Sequence, residues 1–236
     1  MTQIRTVLVA NRGEIARRVF RTCRDLGIRT VAVHSDSDSD APYVTEADAA
    51  VHLRGDSPAD TYLRIELLID AAHRSGADAI HPGYGFLSES ADFAEAVLGA
   101  GLTWIGPSPN AIRSMGSKIE SKKLMADAGV PVLEQLDPSA ITEADLPVLI
   151  KASAGGGGRG MRIVSSLDSL SGELDLASSE AASAFGDPTV FCEPYMASSH
   201  HVEVQVMGDQ AGGIWVLGER ECSIQRRHQK VIEESP

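Results

Sequence analysis

The chain has 236 residues, 43% of them apolar, and a formal net charge of −12. That length accommodates one large domain or two smaller ones, each with a sizeable core. The acidic balance excludes a general binder of nucleic acid or of anionic membrane, while leaving room for a local basic pocket.

The first part of the chain alternates strand and helix. "TVLVA" is a short β-branched apolar run. "GEIARRVFRTCRDLG" then places Ile15, Val19, Cys23 and Leu26 at helical spacing and stops at Gly27. "TVAVHS" reads as a second buried strand and "YLRIELLIDAAHRSG" as a second helix ending at a glycine. "ADAIHP" and "LTWIGPS" are further strands, with the helical "ADFAEAVLGAG" between them. Such alternation predicts a parallel sheet covered by helices. The acidic run at residues 35–40, "SDSDSD", reads as a solvated loop, because no glycine stands at the position a calcium loop needs.

From about Pro131 the rhythm changes. "LPVLIKAS" and "GMRIVSS" are strands joined by a glycine run, "SLSGELDLASSEAASAFG" is helical in composition, and "TVFCEPYM" is another strand. "HHVEVQVMGDQAGGIWVLGEREC" alternates apolar and polar residues around a glycine turn, the pattern of an antiparallel hairpin. It sets Glu203 and Gln205 on the sheet face opposite Val202, Val204 and Val206. A domain boundary is expected near residues 127–131. The cysteines Cys23, Cys192 and Cys222 lack metal spacing and read as reduced packing residues. The N-terminal stretch is too short for a signal-peptide core and no run reaches membrane-spanning length, so the expected compartment is the cytoplasm.

The chemistry concentrates in "KASAGGGGRGMR". Five of the six residues from Gly155 to Gly160 are glycine, tightly flanked by apolar strands. A linker is the plain alternative. A hairpin tip free of side chains brings backbone N–H groups close to an anion, and Lys151 ends the preceding strand. The order of lysine and glycines is not that of a Walker A loop. The single glycine of "ANRGEIA" does not make a dinucleotide fingerprint, so no dinucleotide is expected in the first domain.

"IKASAGGGGRGMR" resembles the phosphate loop of the ATP-grasp superfamily in the form found in biotin carboxylases. "VLVANRGEIARRV", "ADAIHPGYGFLSE", "WIGPS", "MGSKIESKKLM" and "ERECSIQRRHQKVIEESP" are similar to successive signatures of that family, in its order. The resemblance covers nearly the whole chain. It implies an α/β fold: a Rossmann-like domain with a parallel sheet over residues 1–115 and a helical connection over 116–130. A small α+β lid subdomain follows over 131–200, and the first strands of the central ATP-grasp sheet over 201–236. It further implies ATP-dependent carboxylation of carrier-bound biotin by bicarbonate.

Residue by residue, the resemblance assigns ATP phosphates to Lys118 and Lys151, with Gly155, Gly156, Gly157, Gly158 and Gly160 covering them. A solvated helix lysine is the alternative at Lys118, and Lys122 and Lys123 are left in that class. Arg159 and Arg162 flank the glycines. Glu193, Tyr195 and Met196 fall in the hinge that reads adenine through the backbone, where Pro194 keeps a carbonyl but offers no N–H. His201 and Gln225 fall near the ribose, His228 near phosphate and Lys230 near bicarbonate, while His200 is a surface residue. Lys151 on an apolar strand is costly without an anion, and the cations of "ERECSIQRRHQK" likewise ask for an anionic substrate. "HPGYGFLSE" reads first as structural support, and Arg21 and Asp25 match a dimer-interface position or an ordinary ion pair.

The resemblance also implies Mg²⁺, whose ligands are expected downstream with none in this chain. The partners it implies are a biotin carboxyl carrier domain, a second copy in a homodimer, and a carboxyltransferase subunit. A piece of this extent is expected to lack turnover and to leave apolar surface exposed near its C-terminal end. The competing readings are another ATP-grasp ligase of the carbamoyl-phosphate synthetase type, or a non-catalytic nucleotide-binding or assembly piece.

Overall fold

The computed structural model describes residues 3–154, 161–209, 211–226 and 229–235. The chain forms two compact units, residues 1–113 and 114–236.

The first unit runs β1 (Thr6–Val9), α1 (Gly13–Asp25), β2 (Arg29–His34), α2 (Pro42–Glu46), β3 (Ala49–His52), α3 (Ile65–Ser75), β4 (Ala79–His81), α4 (Ala91–Gly99) and β5 (Thr103–Trp104). α5 (Pro109–Gly116) spans the division. All pairings in the first sheet are parallel, in the order β3-β2-β1-β4-β5. Alternation within the strands sends side chains to two cores. Val7 and Val9 pack with Ala16, Phe20, Cys23 and Tyr43 of α1 and α2 on one face. Leu8, Val31, Val33 and Ile80 pack with Leu68, Ala71, Phe93 and Val97 of α3 and α4 on the other. Both faces are covered, as a parallel sheet requires. Gly76 caps α3 in the left-handed conformation, φ 68°.

The acidic run after β2 is a largely exposed loop, as expected, but it is anchored at two points. Ser35 is fully buried, and its backbone N–H donates to the Tyr62 hydroxyl at 2.9 Å. That hydroxyl donates to Asp38 at 2.6 Å, and Arg12 pairs with the same carboxylate at 3.1 Å. The residues that anchor it, Tyr62 and Arg12, are far away in sequence.

The loop after β4 shows what "HPGYG" does. Asn11, buried, donates from Nδ2 to the carbonyls of Pro82 at 2.9 Å and Tyr84 at 2.8 Å. These loops follow the neighbouring strands β1 and β4, where strand order reverses and open α/β sheets receive ligands. Here Asn11 ties them together, and the Tyr84 hydroxyl donates to Glu14. Gly83 sits at φ 69°, and a Cβ there would lie 2.7 Å from Asn11 Nδ2. Gly83→Ala is therefore expected to destabilise the first unit by about 1–3 kcal/mol through strain and displaced Asn11 bonds. A shift in the urea midpoint with unchanged slope checks this.

The second unit contains α6 (Lys118–Asp127), a 3-10 turn (Glu143–Asp145), β6 (Val148–Ala152), β7 (Arg162–Val164), α7 (Leu167–Phe185) and β8 (Val190–Pro194). β9 (Val202–Gly208), β10 (Ile214–Glu221), β11 (Gln225–Arg226) and β12 (Gln229–Lys230) complete it. β7, β6 and β8 form an antiparallel sheet with β6 central. α7 covers one face, packing Leu170 and Ala177 on Val148, Ile150, Val164 and Cys192. β9 and β10 pair antiparallel with a register shift between Val216 and Gly218. Their apolar residues are open to solvent, Ile214 at 77% and Val216 at 68% exposure, so apolar surface is present toward the C-terminal end, as expected. All three cysteines are buried and free. Among the described residues no helix is long and apolar enough to cross a membrane.

Candidate functional site

Because side chains alternate along a strand, the residues of β6 and β8 that do not meet α7 share the opposite face. They are Leu149 and Lys151 on β6, and Phe191 and Glu193 on β8, with Leu149 opposite Glu193 and Lys151 opposite Phe191. A cleft of about 530 Å³ opens on this face, lined by Leu149, Lys151, Met161, Pro194, Tyr195, Met196, His201 and Gln225, among others. A second cleft of about 590 Å³ is lined by Val202, Ser235 and the carboxylates of Glu219, Glu221 and Glu234, a setting that repels a polyphosphate.

The cationic group of the first cleft has an internal counter-ion. Lys151 Nζ lies 2.5 Å from Glu193 Oε2, and Lys122 of α6 donates to Glu193 Oε1. The Glu193 side chain is 4% exposed. Burial alone pushes its carboxyl up, but the hydrogen bonds from Lys122 and Lys151 outweigh that and hold it below its ordinary value. Two expectations change here. Lys122 is not a solvated helix lysine: it is drawn in by Glu193 and sits 5.7 Å from the Phe191 ring centroid. And the anion that makes Lys151 tolerable on an apolar strand is supplied by the protein itself.

The edge of β8 carries backbone groups of a different kind. Tyr195 N–H donates to the Pro147 carbonyl at 3.0 Å, so odd-numbered residues of this strand turn toward β6. Even-numbered ones turn outward, where Leu136 N–H donates to the Cys192 carbonyl at 2.9 Å. The Pro194 carbonyl follows the outward parity, and Met196, 53% exposed, comes two residues later in the same cleft.

The remaining sequence-predicted residues divide. Lys118 Nζ donates to the carbonyls of Ala152 at 3.2 Å and Ala154 at 3.3 Å, at the end of β6 where the glycine run begins. It is not among the residues lining the cleft. His201 and Gln225 do line it, with Gln225 Nε2 and His201 Nδ1 3.1 Å apart. His201 Nε2 lies 3.1 Å from Glu203 Oε1, which also accepts from Lys230. Arg220 donates to Glu203 Oε2 at 2.9 Å and to Gln205 Oε1 at 3.0 Å. Arg220 and Lys230 of "ERECSIQRRHQK" thus have a counter-ion within the protein: the alternation of β9 aims Glu203 at them. Arg162 is likewise paired, with Glu173 at 2.9 Å and Glu180 at 2.5 Å on α7. His200 is on the surface, its side chain 85% exposed. Gly155, Gly156, Gly157, Gly158, Arg159, Gly160 and His228, with the expected mobility of the glycine loop, lie outside the described residues.

Bonds from Lys230 and then Arg220 hold the Glu203 carboxyl down at about 2, from an ordinary 4.5. Glu193 is lowered in the same direction. A lowered carboxyl contributes stability that is complete above the unfolded value and is lost as pH falls through the folded one. The second unit is therefore expected to lose stability progressively below about pH 4.5. Denaturation midpoints at pH 7 and pH 3 check this, and Glu203→Gln should flatten the slope.

Two family models match the chain. Residues 3–112 match "Biotin carboxylase, N-terminal domain", and residues 116–236 match "Carbamoyl-phosphate synthase L chain, ATP binding domain". The chain belongs to the biotin carboxylase family. Among its relatives, a biotin carboxylase from Haemophilus influenzae is 48% identical over 240 residues, covering 98% of this chain and 54% of the relative. One of the pyruvate carboxylase subunits of Methanothermobacter thermautotrophicus is 50% identical over 240 residues, covering 98% and 49%. A biotin carboxylase from Campylobacter jejuni, solved as a β-γ-ATP complex, superposes with a TM-score of 0.95 at 44% identity, over 99% of this chain and 55% of that one. The chain spans from 21% to 54% of the length of the curated relatives it matches.

Within this biotin carboxylase frame, the one cluster of three candidate donors found among the described residues does not suit Mg²⁺. Among the described residues the group of His, Cys, Asp or Glu atoms close enough to share an ion is Glu203, Cys222 and Glu233. A thiol is a poor ligand for a hard cation that demands oxygen, and Lys230 already engages both carboxylates.

Proposed function

We propose that this chain supplies the ATP-binding part of a biotin carboxylase, which carboxylates carrier-bound biotin with bicarbonate at the expense of ATP. The observation that carries the reading is the cleft on β6 and β8, which sets a lysine amine and an outward-facing strand edge on one surface. Adenine needs an acceptor for its amino group and a donor for a ring nitrogen. The Pro194 carbonyl supplies the first and the Met196 N–H the second. Lys151 meets the phosphates from the adjacent strand, and Lys118 braces the carbonyls of Ala152 and Ala154 at the end of β6. His201 and Gln225 bound the ribose side. Glu203 fixes Lys230 and His201 on one carboxylate oxygen, so that an ammonium is held ready for bicarbonate. When bound, ATP supplies the activated phosphoryl group, and the protein's contribution is position and charge neutralisation.

Mg²⁺, the biotin carrier, the carboxyltransferase, a homodimeric assembly and the cytoplasmic compartment belong to this proposal as properties of the complete enzyme. Calorimetric titration with ADP tests it. Binding is expected for the unmutated chain and about ten- to hundredfold weaker binding for Lys151→Met, the loss of a hydrogen bond to a charged group. No binding by the unmutated chain would leave only a scaffolding role.

A further inference from the structure

Glu193 is shared by two lysines with different surroundings. Lys151 lines the cleft, whereas Lys122 approaches the same carboxylate from α6 and is not among the cleft's lining residues. The two ammonium groups take different oxygens, Oε2 and Oε1. The carboxylate is nearly inaccessible to water, at 4% exposure, and the lysine side chains are 22% and 26% exposed. One buried carboxylate with one lysine would be neutral. With two, the cluster carries a net positive charge.

That stoichiometry has a consequence for any anion that enters. To meet a phosphate, Lys151 must turn from Glu193 toward the cleft. If it were the only partner, its departure would leave a buried carboxylate unpaired, which is strongly unfavourable and would keep the lysine at home. With Lys122 in place the carboxylate stays paired and hydrogen-bonded throughout. Lys122 is itself held by the face of Phe191, within the distance at which a ring attracts an ammonium.

We propose that Lys122 is a positioning residue of the nucleotide site: it retains the charge of Glu193 so that Lys151 is released to the polyphosphate. This rests on the reading of the cleft as a nucleotide site. Lys122 touches neither base nor phosphate, so its effect falls on the anionic part of the ligand alone.

The test compares ADP with adenosine by calorimetry, using the full chain and its Lys122→Met, Lys122→Arg and Lys122→Met/Glu193→Gln variants. Lys122→Met is expected to weaken ADP about tenfold or more, the size of one withheld hydrogen bond to a charged group, and to leave adenosine unchanged. Lys122→Arg should retain ADP. The double variant, with no carboxylate left to hold Lys151, should recover ADP affinity relative to Lys122→Met. Equal losses of ADP and adenosine, or no loss of ADP, would overturn the inference, since a purely structural lysine predicts one or the other. A second measurement needs no nucleotide: the labelling rate of the Lys151 amine by a small amine-reactive ester, followed by mass spectrometry. It should fall several-fold in Lys122→Met, where Lys151 is the only counter-ion left to Glu193. An unchanged rate overturns the inference whatever ADP does. If the unmutated chain binds no ADP, the nucleotide reading falls while the labelling rate still decides the role of Lys122.

Discussion

Replacing Glu193 by alanine is expected to lower the stability of the second unit by about 3–5 kcal/mol, the cost of breaking a buried ion pair from one side. Few exposed positions in the chain should approach that. The reason is not the strength of the two ion pairs, since buried pairs roughly repay their own desolvation. It is that Lys122 and Lys151 would be left facing one another across a strand face with no counter-charge. The two carboxylate oxygens now keep the ammonium groups apart and compensated. Equilibrium denaturation followed by the emission of Trp215, which lies in the second unit, measures the loss. Glu193→Gln should lose most of the same stability, because an amide of equal size keeps the shape and removes the charge. If Glu193→Gln were as stable as the unmutated chain, the two lysines would have to be compensated elsewhere.

Phe93→Ala is expected to cost the first unit about 3–5 kcal/mol, through lost burial and the cavity left behind. Phe93 is fully buried on α4 and meets the Trp104 ring edge-on, with centroids 5.4 Å apart and an interplanar angle of 84°. It belongs to the core on the side of the sheet packed by α3 and α4, together with Leu68, Val97 and Ile80. Smaller neighbours such as Ala94 and Ala71 cannot extend into the space. Trp104 is the natural reporter: its emission should shift to longer wavelength at lower denaturant in the variant than in the unmutated chain. Phe93→Leu, which keeps most of the volume, should fall between the two.

Most of the architecture was legible in local pattern. Apolar runs of four to six residues followed by helical spacing located β1, α1, β2, α3, β4, α4 and β5. β3 escaped because Ala49–His52 is short and only Val51 is buried in it, and α2 escaped because a five-residue helix has no period to read. In the site, the sequence located Lys151, Glu193, Met196, His201 and Gln225 in segments that the fold brings to one cleft or its immediate wall. What it could not show was who neutralises whom. Lys122 sits in a run of charged helix residues, and nothing local distinguishes it from Lys123. Its partner is 71 residues away. The same holds for Arg220 and Glu203, paired only because β9 and β10 align them across a ladder. A signal did exist for that second pair: alternation places Glu203 on the polar face of its strand, and the antiparallel register then puts Arg220 directly opposite. Reading charge pairs from hairpin register would have found it. Asp38 shows the limit, since its partners come from α1's entry loop and from the turn before α3.

The ribbon of β9 and β10 also bears on how the chain meets other copies of itself. Each strand of a two-stranded sheet keeps one open row of backbone donors and acceptors. On β10 that row runs beside Ile214, Trp215, Val216 and Leu217, four consecutive apolar residues that are all exposed. Such a stretch templates pairing with another copy of itself. The break in register at Val216 and Gly218 twists it, and Asp209 at one end with Glu219 and Arg220 at the other put charges beside it. These are the features that slow self-association without removing the apolar surface. The yield of soluble protein should therefore depend on those flanking charges more than on any residue lining the cleft on β6 and β8.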